Sequence, residues 1–284
     1  VFTRDGLTLR SNNIEDWETV QLPKIDDKPN GAAFGNELIV LSSQDGSFYT
    51  SSDGENWAAS SLDAYSARLE QALQFNDGLF AVPYTNSSLG SGIAFSRDAF
   101  NWVGSQTSPQ FRFSKIVLGN SGQGLAINRA QSLDPDLYSF QITQDAQVVF
   151  TNPGLGRAVD ATWGQGRFLA IMEDGSIQSS SDLTTWSSGS WSGATPDIIE
   201  FLADRFFLRS GSDVLAVSEN GLVWTPTEGS ATANELYFFS GQYIGVTTSA
   251  VYVSFDGISW IKKGDKPSSS SVLWQLADER YASI

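Results

Sequence analysis

The sequence predicts an all-β protein, a seven-bladed β-propeller, on three observations. A short Ser-x-Asp-x-x-x-Trp motif recurs seven times through the 284 residues. The copies lie about 40 residues apart, the length of a four-stranded blade rather than of a helical repeat. The two ends of the chain carry complementary halves of one repeat.

The copies are SNNIEDW at 11–17, SSDGENW at 51–57, SRDAFNW at 96–102, TQDAQVV at 143–149, SSDLTTW at 180–186, SENGLVW at 218–224 and SFDGISW at 254–260. Position one is always a hydroxyl. Position three is Asn13, Asp53, Asp98, Asp145, Asp182, Asn220 or Asp256. Position seven is Trp17, Trp57, Trp102, Trp186, Trp224 or Trp260, with Val149 in the fourth copy. Successive seventh positions are 40, 45, 47, 37, 38 and 36 residues apart. An Asp here accepts N–H bonds from the residues that follow, and a Gly supplies positive φ for a tight turn. The Trp that ends the motif presents a large apolar face to wedge between neighbouring sheets. Where Gly gives way to Ile14, Ala99, Ala146 or Leu183, a different or wider turn is expected.

Each motif follows a constant preamble, such as RFLAIMEDGSIQSSSDLTTW: an apolar strand, a short turn, an alternating strand, then the motif leading into a fourth strand. One more short strand, such as AAFG, IIEFL or ELYFF, precedes it. This places blades at about 29–57, 68–102, 113–150, 158–186, 196–224 and 233–260. The end VLWQLADERYASI holds two opening strands without a motif, and VFTRDGLTLRSNNIEDW holds two closing strands with one. Residues 271–284 joined with 1–17 therefore form the last blade, and 1–284 is expected to be a single domain whose closure removes free sheet edges. The chain opens without an initiator Met or a signal-like segment, as expected of a mature chain or of a module of a larger protein.

These motifs resemble the Asp-box, or BNR, repeats of sialidase-like and photosystem-assembly-factor-like propellers. The resemblance covers all seven copies, although the usual box has one more residue between its Ser and its aromatic. It implies that the boxes lie on the turn between a blade's outer two strands, remote from the ligand face, and are structural. The fold does not by itself name a function.

Composition narrows the field. There are 17 basic and 32 acidic residues, a net charge of −15, which disfavours nucleic acid and anionic membranes. No apolar run is long enough to span a bilayer as a helix. With no Cys and no His, disulfides, thiolate zinc sites and Ser-His or Cys-His nucleophiles are excluded. No cofactor is expected, and oxygen-ligated calcium is the metal that stays open.

The expected ligand face carries the turns between second and third strands. Two are enlarged, VPYTNSSLGSG at 82–92 and NRAQSLDPDLYSF at 128–140, and adjacent long loops are a common way to build a site. They contribute Tyr84, Asn86, Arg129, Asp134, Asp136 and Tyr138, with Asp134 and Asp136 as the candidate calcium pair. Arg209 falls in a column otherwise apolar, so it is paired, snorkelling, facing a functional surface or in a strand of irregular register. Glu70, Asp160 and Glu235 recur at the start of first strands and, with Glu173 and Asp174, line one mouth of the expected channel.

The function expected is a non-catalytic module, extracellular or periplasmic and monomeric, that recognises a glycan or a partner protein through this face; the extra aromatics Trp163 and Trp191 suit it. The first alternative is a sialidase-like glycoside hydrolase. The resemblance would then require three arginines on the sugar carboxylate, for which Arg4, Arg129 and Arg209 are at hand but not in one column. The second is a scaffold for protein assembly.

Overall fold

Short apolar stretches separated by two-residue turns fold each repeat into one antiparallel sheet. The computed structural model describes residues 7–10, 18–21, 29–62, 67–69, 71–86, 90–106, 113–128, 137–228, 232–239, 241–265, 273–276 and 280–283. Repeat one is Pro29–Gly35, Leu38–Ser43, Ser47–Ser51 and Ala58–Ser61, paired in that order. In repeat two the first strand is split into Ala67–Leu69 and Gln74–Asn76, both paired to Leu79–Asn86, with Gly90–Ser96 and Val103–Gln106 beyond. Repeat three is Phe113–Leu118, Gln123–Asn128, Leu137–Ile142 and Val148–Thr151. Repeat four is Ala158–Gly164, Arg167–Met172, Ile177–Ser180 and Ser187–Gly189; repeat five is Ile198–Leu202, Arg205–Ser210, Asp213–Ser218 and Thr225–Pro226. Repeat six is Glu235–Phe239, Gln242–Val246, Ala250–Ser254 and Ile261–Asp265. Two further two-stranded sheets pair Leu7–Arg10 with Glu18–Gln21 and Leu273–Leu276 with Arg280–Ser283. No α-helix occurs among the described residues. One compact unit runs up to residue 157 and a second begins at residue 158.

The second strand of each repeat is an unbroken apolar run because both its faces are buried, and period-two alternation sends successive side chains into different cores. In the first unit, Phe80 and Val82 pack with Val40 and Phe48 of repeat one, while Leu79 and Ala81 pack with Phe113 and Ile116 of repeat three. In the second unit, Phe206 and Leu208 join Leu169 and Ile171 of repeat four, and Phe207 joins Leu236 and Tyr243 of repeat six. Aromatic pairs cross from first to second strand at matching positions. Phe75–Phe80, Trp163–Phe168, Phe201–Phe206 and Phe238–Tyr243 have ring centroids 4.6, 4.3, 4.8 and 4.9 Å apart, a cross-strand contact that adds to area burial.

The motif forms the turn between third and fourth strands, and its hydrogen bonds repeat. Asp53 Oδ1 accepts the Ser51 hydroxyl at 3.0 Å and the N–H groups of Glu55 and Asn56 at 2.8 Å each. Ser51 Oγ in turn accepts the Gly54 N–H at 2.8 Å. The three bonds to the side-chain oxygen recur on Asp98, Asp182, Asn220 and Asp256, and the Ser hydroxyl accepts the N–H of Leu183, Gly221 and Gly257 at 2.8 Å each. Asn13 and Trp17 lie outside the described residues.

The different turn expected where Gly is missing does not occur at Ala99 or Leu183. They take φ of 64° and 63°, against 76° at Gly54, because the Ser and Asp bonds hold the left-handed conformation whatever side chain occupies it. It does occur in the fourth copy. There Thr143 N bonds Gln147 O at 2.8 Å, and the Gln147 N–H goes to the Thr143 hydroxyl instead of to Asp145. That copy also lacks Trp, and Val149 is 53% exposed.

At Trp102, Trp224 and Trp260 the Trp fastens the turn to the repeat before it. Trp102 stacks on Phe48 with centroids 3.6 Å apart and planes within 5°, and its indole N–H donates to Ala99 O at 3.1 Å. The Thr50 hydroxyl of repeat one donates to the same carbonyl at 3.0 Å. Trp224 packs into the core with repeat four and Trp260 against the core with repeat five. Trp57 packs against Leu41 and Tyr49 of its own sheet, and the Trp186 indole donates to Leu183 O at 3.3 Å.

Backbone N–H donors hold the motif carboxyls below the usual carboxylate range: chiefly Asn56 at Asp53, Asn101 at Asp98, Thr185 at Asp182 and Ser259 at Asp256.

Two outcomes follow from this packing. Trp102→Ala should lose about 3–5 kcal/mol in urea denaturation, while Val149→Ala stays within about 0.5 kcal/mol. The motif carboxyls titrate lower in the folded than in the unfolded chain, so their stabilisation is complete above the unfolded value of about 3.9 and lost as the pH falls below it. Urea midpoints should therefore drop steeply between about pH 4 and pH 2. A variant with Asn at 53, 98, 182 and 256, as nature has at Asn220, should flatten that drop; an unchanged slope would refute the assignment.

Candidate functional site

In an up-and-down sheet the turn between second and third strands lies at the end away from the motif. The first of the two enlarged turns expected there is largely strand. Leu79–Asn86 and Gly90–Ser96 pair from Phe80–Ser96 as far as Asn86–Gly90, so Tyr84 and Asn86 stand in a ladder, not on an open loop. Tyr84 is 2% exposed. Its ring lies over Gly92 and its hydroxyl donates to Ser105 O at 3.2 Å; a Cβ at Gly92 would come within 2.7 Å of that ring. Burial raises its phenol pKa. Asn86 is also buried. Tyr138 lies in Leu137–Ile142 and packs against the core shared by repeats two and three. Arg129, Asp134 and Asp136 lie outside the described residues, as does Glu70.

The second unit presents more at this end. Arg209 combines two of the alternatives open to it. A register shift does occur between Leu208 and Arg209, and the side chain is paired and only 5% exposed. Its Nε donates to Glu200 Oε1 at 2.9 Å, and its Nη2 donates to the same oxygen. Its Nη1 donates to the carbonyls of Gly211, Ala233 and Asn234 at 3.2, 2.7 and 3.1 Å. One guanidinium thus ties repeat five to the entry of repeat six, and a buried charge is tolerated because it is so satisfied.

Asp160 behaves likewise. It is buried, and its Oδ2 accepts the Ile199 N–H at 2.9 Å, joining repeats four and five. Glu235 accepts the Tyr237 hydroxyl. Trp163 is consumed by its pair with Phe168, and Trp191 donates to Ala194 O at 2.8 Å. Glu173, Asp174, Asp197 and Asp213 are exposed. The Ser176 hydroxyl and N–H hold Asp174 below the usual carboxylate range, and Asp197 accepts the Gly211 N–H at 2.9 Å. The structure therefore brings Glu173, Asp174 and Arg209 to one end of the second unit, in company with two carboxylates the sequence did not flag, Asp197 and Asp213.

Glu200 was missed by sequence reasoning, yet it carried a signal. It is the one charge in IIEFL and sits diagonally across the strand pair from Arg209, where Ile198 faces Arg209 and Glu200 faces Phe207. Among the described residues no group of three or more carboxylates is arranged to hold a metal ion.

No family model and no curated protein sequence matches the chain. Solved structures do share its fold. YCF48 bound to D1 peptide aligns with a TM-score of 0.57 and 16% identity, over 86% of this chain and 84% of that one. Streptogramin B lyase aligns at 0.63 and 9%, over 89% of each chain. PorZ, an essential bacterial surface component of the type-IX secretion system of Porphyromonas gingivalis, aligns at 0.60 and 11%, over 90% of this chain and 36% of its own. At such identities the likeness speaks for architecture alone, and with the repeated antiparallel sheets it shows that the chain is a β-propeller.

Breaking the buried pair should be costly. Glu200→Ala, which strands the guanidinium, is expected to cost about 3–5 kcal/mol, whereas Glu200→Leu combined with Arg209→Met recovers only part of that loss, because Met leaves the carbonyls of Ala233 and Asn234 without their donor. Thermal denaturation of the three proteins checks both statements.

Proposed function

We propose that this chain is a non-catalytic binding module that takes a partner through the end bearing the turns between second and third strands. The observation that carries the reading is a division of charge in the second unit. Glu173, Asp174, Asp197 and Asp213 are exposed there, while the guanidinium of Arg209 is turned inward and spent on Glu200 and three carbonyls. Such a surface attracts lysine- and arginine-bearing partners and repels anionic ones, the more so at a net charge of −15. A protein partner fits best, with a neutral glycan as the second class this face would accept.

The same observation weighs against a sialidase-like hydrolase, whose sugar carboxylate needs free guanidinium donors. Arg4 and Arg129 lie outside the described residues. Support for a protein partner, and for a scaffold role, comes from neighbours that include a peptide complex and a secretion-system component. An extracellular or periplasmic setting belongs to the same proposal, as do Asp-box membership and a count of seven blades. Seven motif copies and two two-stranded sheets beside the six larger ones support that count.

The test is binding to arrays of glycans and of peptides graded in charge, at low and high salt, with and without calcium. Basic peptides should be retained at low salt and released at high salt. A Glu173→Gln, Asp174→Asn, Asp213→Asn variant should bind them on the order of tenfold more weakly, since each exposed charge contributes up to about 1 kcal/mol. Selective glycan binding with silent peptides would replace the protein partner by a sugar, and calcium dependence would assign Asp134 and Asp136 to it. Blank arrays would overturn the reading.

A further inference from the structure

Two junctions between consecutive sheets are clasped at their outer edges. In repeats four and five the residue four places after the motif Trp pairs in parallel with the next motif, Ser190 with Val223 and Glu228 with Ser259. A backbone bond seals each junction, from Ser190 N to Leu222 O and from Glu228 N to Ile258 O, both at 3.0 Å. The equivalent residue of repeat one is Ser61, and the equivalent carbonyl is that of Phe100. Among the described residues no bond joins them, and Ser61 stays opposite Ser47 in its own sheet. At this junction a cleft of about 310 Å³ opens, lined by Leu38, Ser52, Asn56, Trp57, Ala58 and Phe100, among others. Phe100 is 46% exposed.

Three features say what fits. The outer strand Ala58–Ser61 is a sheet edge, exposed over most of its length and free of charge and proline. Two other outer strands carry Lys262 and Lys263, or Pro226, the usual defences against a foreign strand; Val103–Gln106, Val148–Thr151 and Ser187–Gly189 lack them too, so the cleft beside Ala58–Ser61 is what sets this edge apart. The clasps of repeats four and five show that a backbone N–H of an adjoining segment satisfies the carbonyl at this position in the fold. The cleft beside it offers Leu38, Trp57 and Phe100 to one bulky apolar side chain. Charge completes the description: Asp53, held ionised by its turn, and Glu55 stand beside Asn56 and Trp57 on a chain of net charge −15.

We propose that the outer edge of repeat one is a β-augmentation site. An extended peptide of a partner protein adds a strand along Ala58–Ser61, seats an apolar side chain against Trp57 and Phe100, and carries lysine or arginine on its flanks. The site goes beyond the binding end proposed above and does not depend on it.

The probe is a fluorescein-labelled hexapeptide of alternating leucine and threonine between terminal lysines, read by anisotropy. Its controls replace leucine by serine or lysine by glutamate. The parent peptide binds, and each control binds at least about tenfold more weakly. Ala58→Arg, which fills the cleft and charges the edge, and Phe100→Ser, at an exposed position, each weaken binding to a similar degree with the urea midpoint unchanged. The Glu173→Gln, Asp174→Asn, Asp213→Asn variant binds as the parent protein does. No binding of the parent peptide, or equal binding by both rim variants, overturns the proposal. Loss of binding in the acidic-end variant alone assigns the peptide to that end and overturns it too. So does a Trp57 indole shift with N-acetylglucosamine while every peptide stays silent, which gives the cleft to a sugar.

Discussion

Every other feature of this molecule depends on how one small sheet is fastened to the next. A four-stranded sheet with both faces apolar has no stable existence in water, and its second strand can be buried only between two neighbours. Leu79 and Phe80, adjacent in sequence, belong to different cores for this reason, as do Phe206 and Phe207. Besides the backbone bonds between consecutive sheets, polar side chains reach across. Gln74 accepts the Leu118 N–H at 3.0 Å and donates to Ile116 O at 2.7 Å. Asp77 accepts the Ser121 N–H at 2.7 Å, and Asp160 and Arg209 do comparable work in the second unit. Each satisfies a backbone group that apolar packing would leave bare.

The Ser-x-Asp motif belongs to the same fastening. Its carboxylate organises a turn whose carbonyl and Trp are then presented to the preceding sheet, so a local hydrogen-bond set positions a non-local apolar contact. The fourth copy supplies the contrast within one chain. With the Gln147 N–H drawn to Thr143 rather than to Asp145, the turn changes shape, and Val149 in the Trp position stands in solvent. Turn geometry and wedge are lost together.

Much of this was legible in the sequence because it is local or periodic. The repeat, the four strands, the motif bonds and the Trp wedge all depend on residues within about ten positions of one another or on simple alternation. What was misread depends on pairing at a distance. VPYTNSSLGSG looks like a loop by composition, with Pro83 and five Ser or Gly. The ladder continues through it because the Tyr84 ring covers Gly92 on the facing strand, a cross-strand fit that no single segment displays. Arg209 was recognised as odd, yet its partners at Glu200, Ala233 and Asn234 lie in two other segments brought to it by the fold. The assumption that Ala99 and Leu183 would change their turns underrated three hydrogen bonds against a modest backbone preference.

The acidity of the chain then divides by location. Carboxylates at the motif end are spent on backbone N–H groups, and their negative charge is part of the turn. Those at the other end of the second unit include Glu173 and Asp213, on turns whose shape is set by backbone bonds such as Gly175 N to Met172 O at 2.9 Å. Repulsion among exposed carboxylates works against the folded state, and a protein that needed them only for solubility would gain by scattering them. Their company with a guanidinium turned inward is the arrangement on which the proposed basic partner rests. At that end sheet is held to sheet by Asp160 and Arg209, buried beneath the surface, and by the backbone bond from Ala233 N to Ser212 O at 2.6 Å.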